Sequence, residues 1–217
     1  MQKAFEEANS GSAQCIVGLG NPGRRYRLTR HNVGYNVIAL LAGTLKVDLK
    51  EGNGEYFFSD CTVGGRRLLL AVPSTSMNES GLAVSQLCDH FGISSSELMI
   101  VYDDFQLPLG TLRIRLEGSD GGHNGMASII EHLQTERIPR LRVGISGTTC
   151  PSEERKELMA SYVLSQFEED ERTVATTMMM HARDALLASV ERGVEFAMNN
   201  FNRSFLDPGP EKVGSKA

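Results

Sequence analysis

One histidine, one aspartate and three asparagines are the residues in this chain whose types and placing could do chemistry together. His31 sits in Thr29-Arg30-His31-Asn32, where a polar loop opens a helical pattern. Imidazole exchanges a proton near neutral pH without a large pKa shift. Asp103 follows the apolar run Leu98–Tyr102, a predicted strand that it closes. A carboxylate beside an imidazole would orient the ring and stabilise its protonated form. Asn21, Asn78 and Asn124 lie in loops that follow a strand or open a helix. Their amides could polarise a carbonyl and steady an oxyanion, and could pair with a peptide bond as donor and acceptor at once. No G-x-S-x-G frames a serine, so water is the expected nucleophile and His31 its general base. Each asparagine keeps a plainer alternative: a turn residue before Pro22 for Asn21, a helix N-cap for Asn78 and Asn124.

Strands and helices must bring these loops together. Cys15–Leu19 is a short apolar strand, and Val33, Val37, Leu40, Leu41 and Leu45 follow at helical spacing. Tyr56–Val63 and Arg67–Val72 read as a hairpin turning at Gly64-Gly65. Ser80–Phe91 reads as a helix closed by Gly92. Thr111–Leu116 alternates, with Leu112, Ile114 and Leu116 on one face and Arg113 and Arg115 on the other. A helix over about Asn124–Leu133 and an alternating strand Leu141–Ile145 come next, and the rest is mainly helical from Glu168–Glu171 through Met178–Val190 to Phe201. The interleaving predicts an α/β fold, a single domain with a mixed, mostly parallel β-sheet flanked by helices. Ligands of such sheets bind beyond the carboxyl ends of the strands, where the loops of His31, Asn78, Asp103 and Asn124 can converge.

With 217 residues, 41% hydrophobic and 23% charged, the chain is long enough to bury roughly 70% of its unfolded surface without disulfide or metal support. Residues 1–13 are expected to be a flexible lead, 14–203 the domain and 204–217 a disordered tail. No apolar run approaches the ~18 residues of a membrane span, and the opening segment lacks the apolar stretch of a secretory signal. Cys15, Cys61, Cys88 and Cys150 form no close pair, which points to reduced thiols and a cytoplasmic setting. The net charge of −5 does not exclude a nucleic-acid partner, because the acidic excess lies at the two ends and binding follows the local field.

Gly18-Leu-Gly20-Asn-Pro-Gly23 matches the dinucleotide pattern G-x-G-x-x-G after a strand. A dinucleotide site needs the helix to begin at the third glycine. Here Pro22 and Arg24-Arg25-Tyr26-Arg27 delay it to about Thr29–Asn32, and Asp48, at the distance of a ribose carboxylate, reads as surface loop. A nicotinamide-dependent oxidoreductase is therefore a minor alternative.

Taken in order, IVGLGNPG (16–23), YRLTRHNVG (26–34), TSMNESG (75–81), VYDDFQLPLG (101–110), SDGGHNG (119–125), PRLRVGI (139–145), YVLSQF (162–167) and AMNNFN (197–202) resemble the bacterial-type peptidyl-tRNA hydrolases over about residues 14–203. The resemblance implies an enzyme that cleaves the ester between a peptide and the 3′ end of tRNA, monomeric and cytoplasmic, with no metal and no cofactor. By matching position His31 is the family's catalytic base, Asp103 its carboxylate and Asn21 the residue that tells blocked from unblocked aminoacyl-tRNA. Tyr26, Met77, Asn78 and Asn124 match substrate-binding positions, and His123 is grouped with them. At Ser76 an aromatic is common, so only a backbone contact carries over. Ala127 stands where Lys or Arg is usual, and Asp104-Phe105-Gln106 replaces a more acidic version.

Arginines supply the expected RNA track. Arg113 and Arg115 share one strand face, as do Arg140 and Arg142, and two such strands beside the His-Asn-Gly loop favour phosphate contacts over a merely solvated face. Arg113, Arg115 and Arg142 are the chosen contacts, to which Arg24, Arg25, Arg27 and Arg30 could add. A non-catalytic RNA-binding module on the same fold is the rival function, since it keeps the arginines and does not need His31.

Overall fold

The computed structural model describes residues 15–152 and 155–206. Its strands are β1 (Cys15–Gly18), β2 (Lys50–Glu51), β3 (Tyr56–Val63), β4 (Arg66–Pro73), β5 (Leu98–Pro108), β6 (Leu112–Arg115) and β7 (Arg140–Ser146). They form one mixed sheet in the order β2-β3-β4-β1-β5-β7-β6. The four central strands, β4, β1, β5 and β7, run parallel, while β3 returns on β4, β2 on β3 and β6 on β7. The helices are α1 (Val33–Leu45), α2 (Ser80–Phe91), α3 (Asn124–Leu133), α4 (Lys156–Val163), α5 (Arg172–Arg192) and α6 (Val194–Phe201).

Alternate residues of each strand feed opposite faces. Ile16, Leu68, Leu70, Met99 and Val101 pack towards α1 and α5, while Cys15, Val17, Leu69, Ile100 and Tyr102 pack towards α2 and α3. The sheet is thus buried on both sides, which is why its central strands read as near-continuous apolar runs. Cys15 is fully buried and burial drives its thiol far up, so it behaves as a small apolar side chain.

The structure departs from the sequence expectations at several points. β5 does not end at Tyr102. Its neighbour β1 stops opposite Val101, but β7 continues the ladder through Asp103↔Val143 and Asp104↔Gly144. Asp103 therefore stands beyond the end of β1 on a strand still held from the other side. Leu116, assigned to the apolar face of β6, is 44% exposed because the strand stops at Arg115. The short helix α4 has no counterpart among the sequence expectations. Of the tail expected over 204–217, Ser204 bridges Thr111 and the Phe205 N–H donates to the Gly110 carbonyl at 2.8 Å, so 204–206 belong to the fold. The lead 1–13 and residues 207–217 lie outside the described residues.

Gly18 and Gly34 show what the glycine motif does. A Cβ on Gly18 would meet the Gly34 carbonyl and Ile38, and one on Gly34 would run into the Val101 carbonyl and stand 2.6 Å from the Leu19 amide nitrogen. The glycines let α1 lie directly on the ends of β1 and β5. They are helix-to-sheet spacers and not a phosphate cradle, and Asp48 is an exposed loop residue. Gly34→Ala gains helix propensity of about 1 kcal/mol, but the clash is with backbone that cannot step aside. Overpacking should win, at about 1–3 kcal/mol, lowering Tm by roughly 2–12 °C. Gly43→Ala in the same helix meets nothing within 4 Å and should raise Tm instead, so a melting comparison of the two variants checks the assignment.

Candidate active site

The site forms where the chain leaves the carboxyl ends of the parallel strands. Beyond β1, Asn21 is clamped by Asn32, a residue that nothing in the sequence singles out. The Asn21 N–H donates to Asn32 Oδ1 and the Asn32 amide donates back to the Asn21 carbonyl, both at 2.9 Å. Asn32 is buried, so this reciprocal pair locks the β1 loop to the start of α1. The Asn21 Oδ1 accepts from the Met77 N–H at 2.9 Å. That bond uses the acceptor end of the Asn21 side chain and leaves its NH₂ as a donor.

His31 lies on the turn just before α1. Its Nδ1 is 2.8 Å from Asp103 Oδ1 and 3.0 Å from Oδ2. His123 Nε2 approaches the same Oδ1 at 3.0 Å, while the Met126 N–H donates to His123 Nδ1 at 3.1 Å. The hydrogen-bond partners assign the tautomers. His123 accepts at Nδ1, so its proton is on Nε2 and points at Asp103. Asp103 then receives two imidazole N–H bonds, and His31 Nε2 carries a lone pair with no partner among the described residues. The Asp103 side chain is 1% exposed and that of His31 11%. Burial pushes the Asp103 carboxyl up, but the two imidazoles it faces reverse this and hold it well below the usual carboxylate range. Burial likewise pushes His31 down, and the charge and hydrogen bond of Asp103 outweigh it, leaving the imidazole above 6.5.

His31, Asp103 and His123 could also be read as metal ligands, since one ligand atom from each lies within 4.8 Å of the others. Binding a cation at His123 Nε2 would move that ring's proton to Nδ1, directly against the Met126 N–H. The donor pattern suits proton handling, and a cation would have to break it.

His31 lines a cleft of about 580 Å³ with Phe105, Gln106, Gly122, Asn124 and residues of α4. Asn124 and Asn78 are both exposed. Neither caps a helix: α3 is capped by His123, and α2 and the turn before it have no side-chain cap. Met77 is buried, with its sulfur against Gly125, where a Cβ would stand 2.5 Å away. Tyr26 is half-buried under the Arg25 guanidinium at 4.5 Å, and Ser76 donates to Glu79 at 2.9 Å. Of the expected substrate-binding residues, Asn124 and His123 line the cleft of His31, while Asn21, Tyr26, Ser76, Met77 and Asn78 are not part of its lining.

The arginines divide. Arg113 faces Arg142 across the strands and Arg115 faces Arg140. Arg140 is buried and donates to the carbonyls of Ser119, Glu136 and Ile138, so it is withdrawn from any phosphate track. Arg142 is ion-paired with Asp104. Arg113 and Arg115 have no carboxylate partner among the described residues. Arg30 also leaves the track: it is fully buried, paired with Glu171 at 2.6 Å and stacked on Tyr162 and Phe167. Through it the His31 loop is fastened to the segment joining α4 and α5. A lone arginine in a basic loop carries no signal of that burial.

A one-sheet α/β protein with a carboxylate-paired histidine beyond the carboxyl ends of its strands has the layout of a hydrolase. The family model for peptidyl-tRNA hydrolase matches residues 15–208. The peptidyl-tRNA hydrolase of Chlorobaculum parvum is 40% identical over 189 residues, 87% of this chain and 97% of that protein. That of Geobacillus thermodenitrificans is 42% identical over 187 residues, 86% and 98% of the two. The crystal structure of peptidyl-tRNA hydrolase from Acinetobacter baumannii superposes with a TM-score of 0.81 at 30% identity, covering 88% of this chain and 95% of that one. The chain belongs to the peptidyl-tRNA hydrolase family and is a hydrolase of that kind.

The raised imidazole sets a test. An imidazole works as a general base only when neutral, so with His31 in that role the acid limb of kcat/KM against pH should have its midpoint above the ordinary 6.5. Asp103→Asn removes the opposing charge and leaves burial to act alone. The limb should move to lower pH while the plateau rate falls, and a limb that stays in place would assign it to another group.

Proposed function

We propose that this protein hydrolyses the ester joining a peptide to the 3′ oxygen of tRNA, with His31 as base. His31 Nε2 takes a proton from water as the oxygen attacks the ester carbonyl. The amide donor of Asn21, with Asn78 and Asn124, steadies the oxyanion and holds the peptide. Asp103 stabilises the imidazolium. Collapse breaks the bond to the ribose oxygen, His31 returns the proton to it, and a peptide acid and free tRNA leave. The observation that carries this reading is His31 bonded to Asp103 through Nδ1, with Nε2 unpartnered on a ring that lines the cleft. A non-catalytic RNA module would have no use for that arrangement.

Arg113 and Arg115 give this reading its RNA contact. Like charges directly opposite on neighbouring strands are unfavourable, and each of the two faces another arginine without a carboxylate of its own. A phosphate backbone supplies the missing anion, with Arg142, shared with Asp104, beside it. His123 orients Asp103, and Tyr26 and Ser76 bound the approach from the Asn21 side. We take the enzyme to be a cytoplasmic monomer. The four cysteines are free thiols, and no helix of the described residues is long and apolar enough to cross a membrane.

Incubation with N-acyl-aminoacyl-tRNA in EDTA should release tRNA and spare unblocked aminoacyl-tRNA. His31→Ala should cost about 10²–10⁴ in rate while tRNA binding persists. A metal requirement, or wild type and variant that bind equally and are equally inert, would overturn the proposal. Neutralising Arg113 and Arg115 together should flatten log K against log salt by roughly 0.7–0.9 for each phosphate that is no longer neutralised; titrations at four or five salt concentrations measure it.

A further inference from the structure

Arg30 precedes His31 in the chain, and the hydrogen bonds that its N–H groups donate all go to residues 165–171. The backbone N–H donates to the Ser165 carbonyl at 2.9 Å, Nη1 to the Gln166 carbonyl at 2.7 Å and Nη2 to Glu171 Oε2 at 2.6 Å. The guanidinium lies 4.4 Å from the centre of the Tyr162 ring and 4.8 Å from that of Phe167. Glu171 Oε2 also accepts the Glu168 N–H at 2.8 Å, which closes the turn at the head of α5. Tyr162 belongs to α4, whose Met159, Ala160 and Val163 line the cleft of His31. Its hydroxyl donates to the Ile145 carbonyl of β7 at 2.7 Å and accepts the Gly147 N–H at 2.9 Å. The cleft wall, the head of α5 and the residue next to His31 thus meet at one ion pair.

A buried ion pair is weak grounds for stability, since apolar side chains of similar volume often do as well. This pair is also incompletely satisfied: Arg30 Nε and Glu171 Oε1 have no hydrogen-bond partner among the described residues. What it supplies is direction. A planar fork held between two rings fixes where the backbone at residue 30 lies, and His31 follows one residue on. We infer that Arg30 and Glu171 are positioning residues that hold His31 against Asp103, and with it the ring nitrogen that activates water. The inference rests on the proposed reaction. A group about 1 Å out of place can cost about a hundredfold in rate. Asp103 faces His31 from β5 and His123 faces it from the turn before α3, while α4 presents only uncharged side chains to the cleft. Burial pushes the imidazole down and Asp103 holds it above 6.5, so a ring that drifts from Asp103 titrates lower.

The experiment replaces the pair by apolar side chains, Arg30→Met together with Glu171→Met, which leaves the net charge unchanged. Gln166 and Glu168 are exposed, so water can take the backbone groups set free. Tm of the double variant should stay close to that of wild type. Its kcat on N-acyl-aminoacyl-tRNA should fall about tenfold to a hundredfold with KM nearly unchanged, and the acid limb of kcat/KM should move to lower pH. With Asp103→Asn already in place, the double change should move the limb little further. Arg30→Lys keeps the charge and loses the fork; it should show both effects in smaller degree, and it decides the matter if the double variant does not fold. Titration of the His31 ring by NMR should move with the limb and needs no turnover. Either variant, folded and with wild-type kcat and limb, would overturn the inference. So would a loss confined to KM, or a limb that shifts equally without the Asp103 charge. Failure of wild type to cleave the substrate would instead overturn the hydrolase reading, and the NMR titration would still decide whether the pair positions His31.

Discussion

A buried carboxylate that must accept hydrogen bonds from two imidazoles is the constraint around which this molecule is arranged. Asp103 can be ionised at 1% exposure only because His31 and His123 both point protons at it. Removing a buried charge's partner is costly, so the two histidine-bearing loops are held to their places as firmly as the core. His123 is in turn fixed by the Met126 N–H at the first turn of α3. His31 is fixed by its own turn, whose neighbours Arg30 and Asn32 are among the most completely buried polar side chains. Within the set formed by Asp103 and the two imidazoles, the ring nitrogen left without a partner among the described residues is His31 Nε2.

The fold serves this by an offset between strands. β1 stops opposite Val101, and the glycines at 18 and 34 let α1 settle over its end. β5 continues because β7 still pairs with it, and so the aspartate is presented above the neighbouring strand at the level of the loops. Asn21 arrives at the same level from β1, and Met77 from the turn after β4. One hydrogen bond, from the Met77 N–H to the Asn21 side chain, joins those two loops and decides which end of the amide faces outward.

Much of this is legible in the residues, unevenly so. Helices with clear periodicity and caps can be read to the residue: Ser80–Phe91 with Gly92 behind it, and Asn124–Leu133. The hairpin at Gly64-Gly65 is equally plain. Asp103-Asp104 looks like the end of a strand because acidic residues are poor in sheets, and nothing local shows that β7 keeps pairing there or that Arg142 meets Asp104. His31, Asp103 and the asparagines are recognisable from their types and loop positions. Arg30, Arg140 and Asn32 are not, since each owes its burial to partners distant in sequence or to backbone carbonyls, and a charged or polar letter in a loop reads as solvated. Phe105 and α4 escape for a related reason: a cleft wall is a property of the assembled fold.

The fastening of Arg30 has a consequence in time. Its partners, the Ser165 and Gln166 carbonyls and the Glu171 carboxylate, lie about 140 residues further along the chain. A ribosome making this protein has long since released His31 and Asp103 when it reaches that stretch. Until then each unfinished copy is itself a peptide esterified to tRNA, the very bond its family cuts. Such a copy carries His31 without the anchor that fastens its loop, and completes that anchor only once residues 165–171 have been made and released.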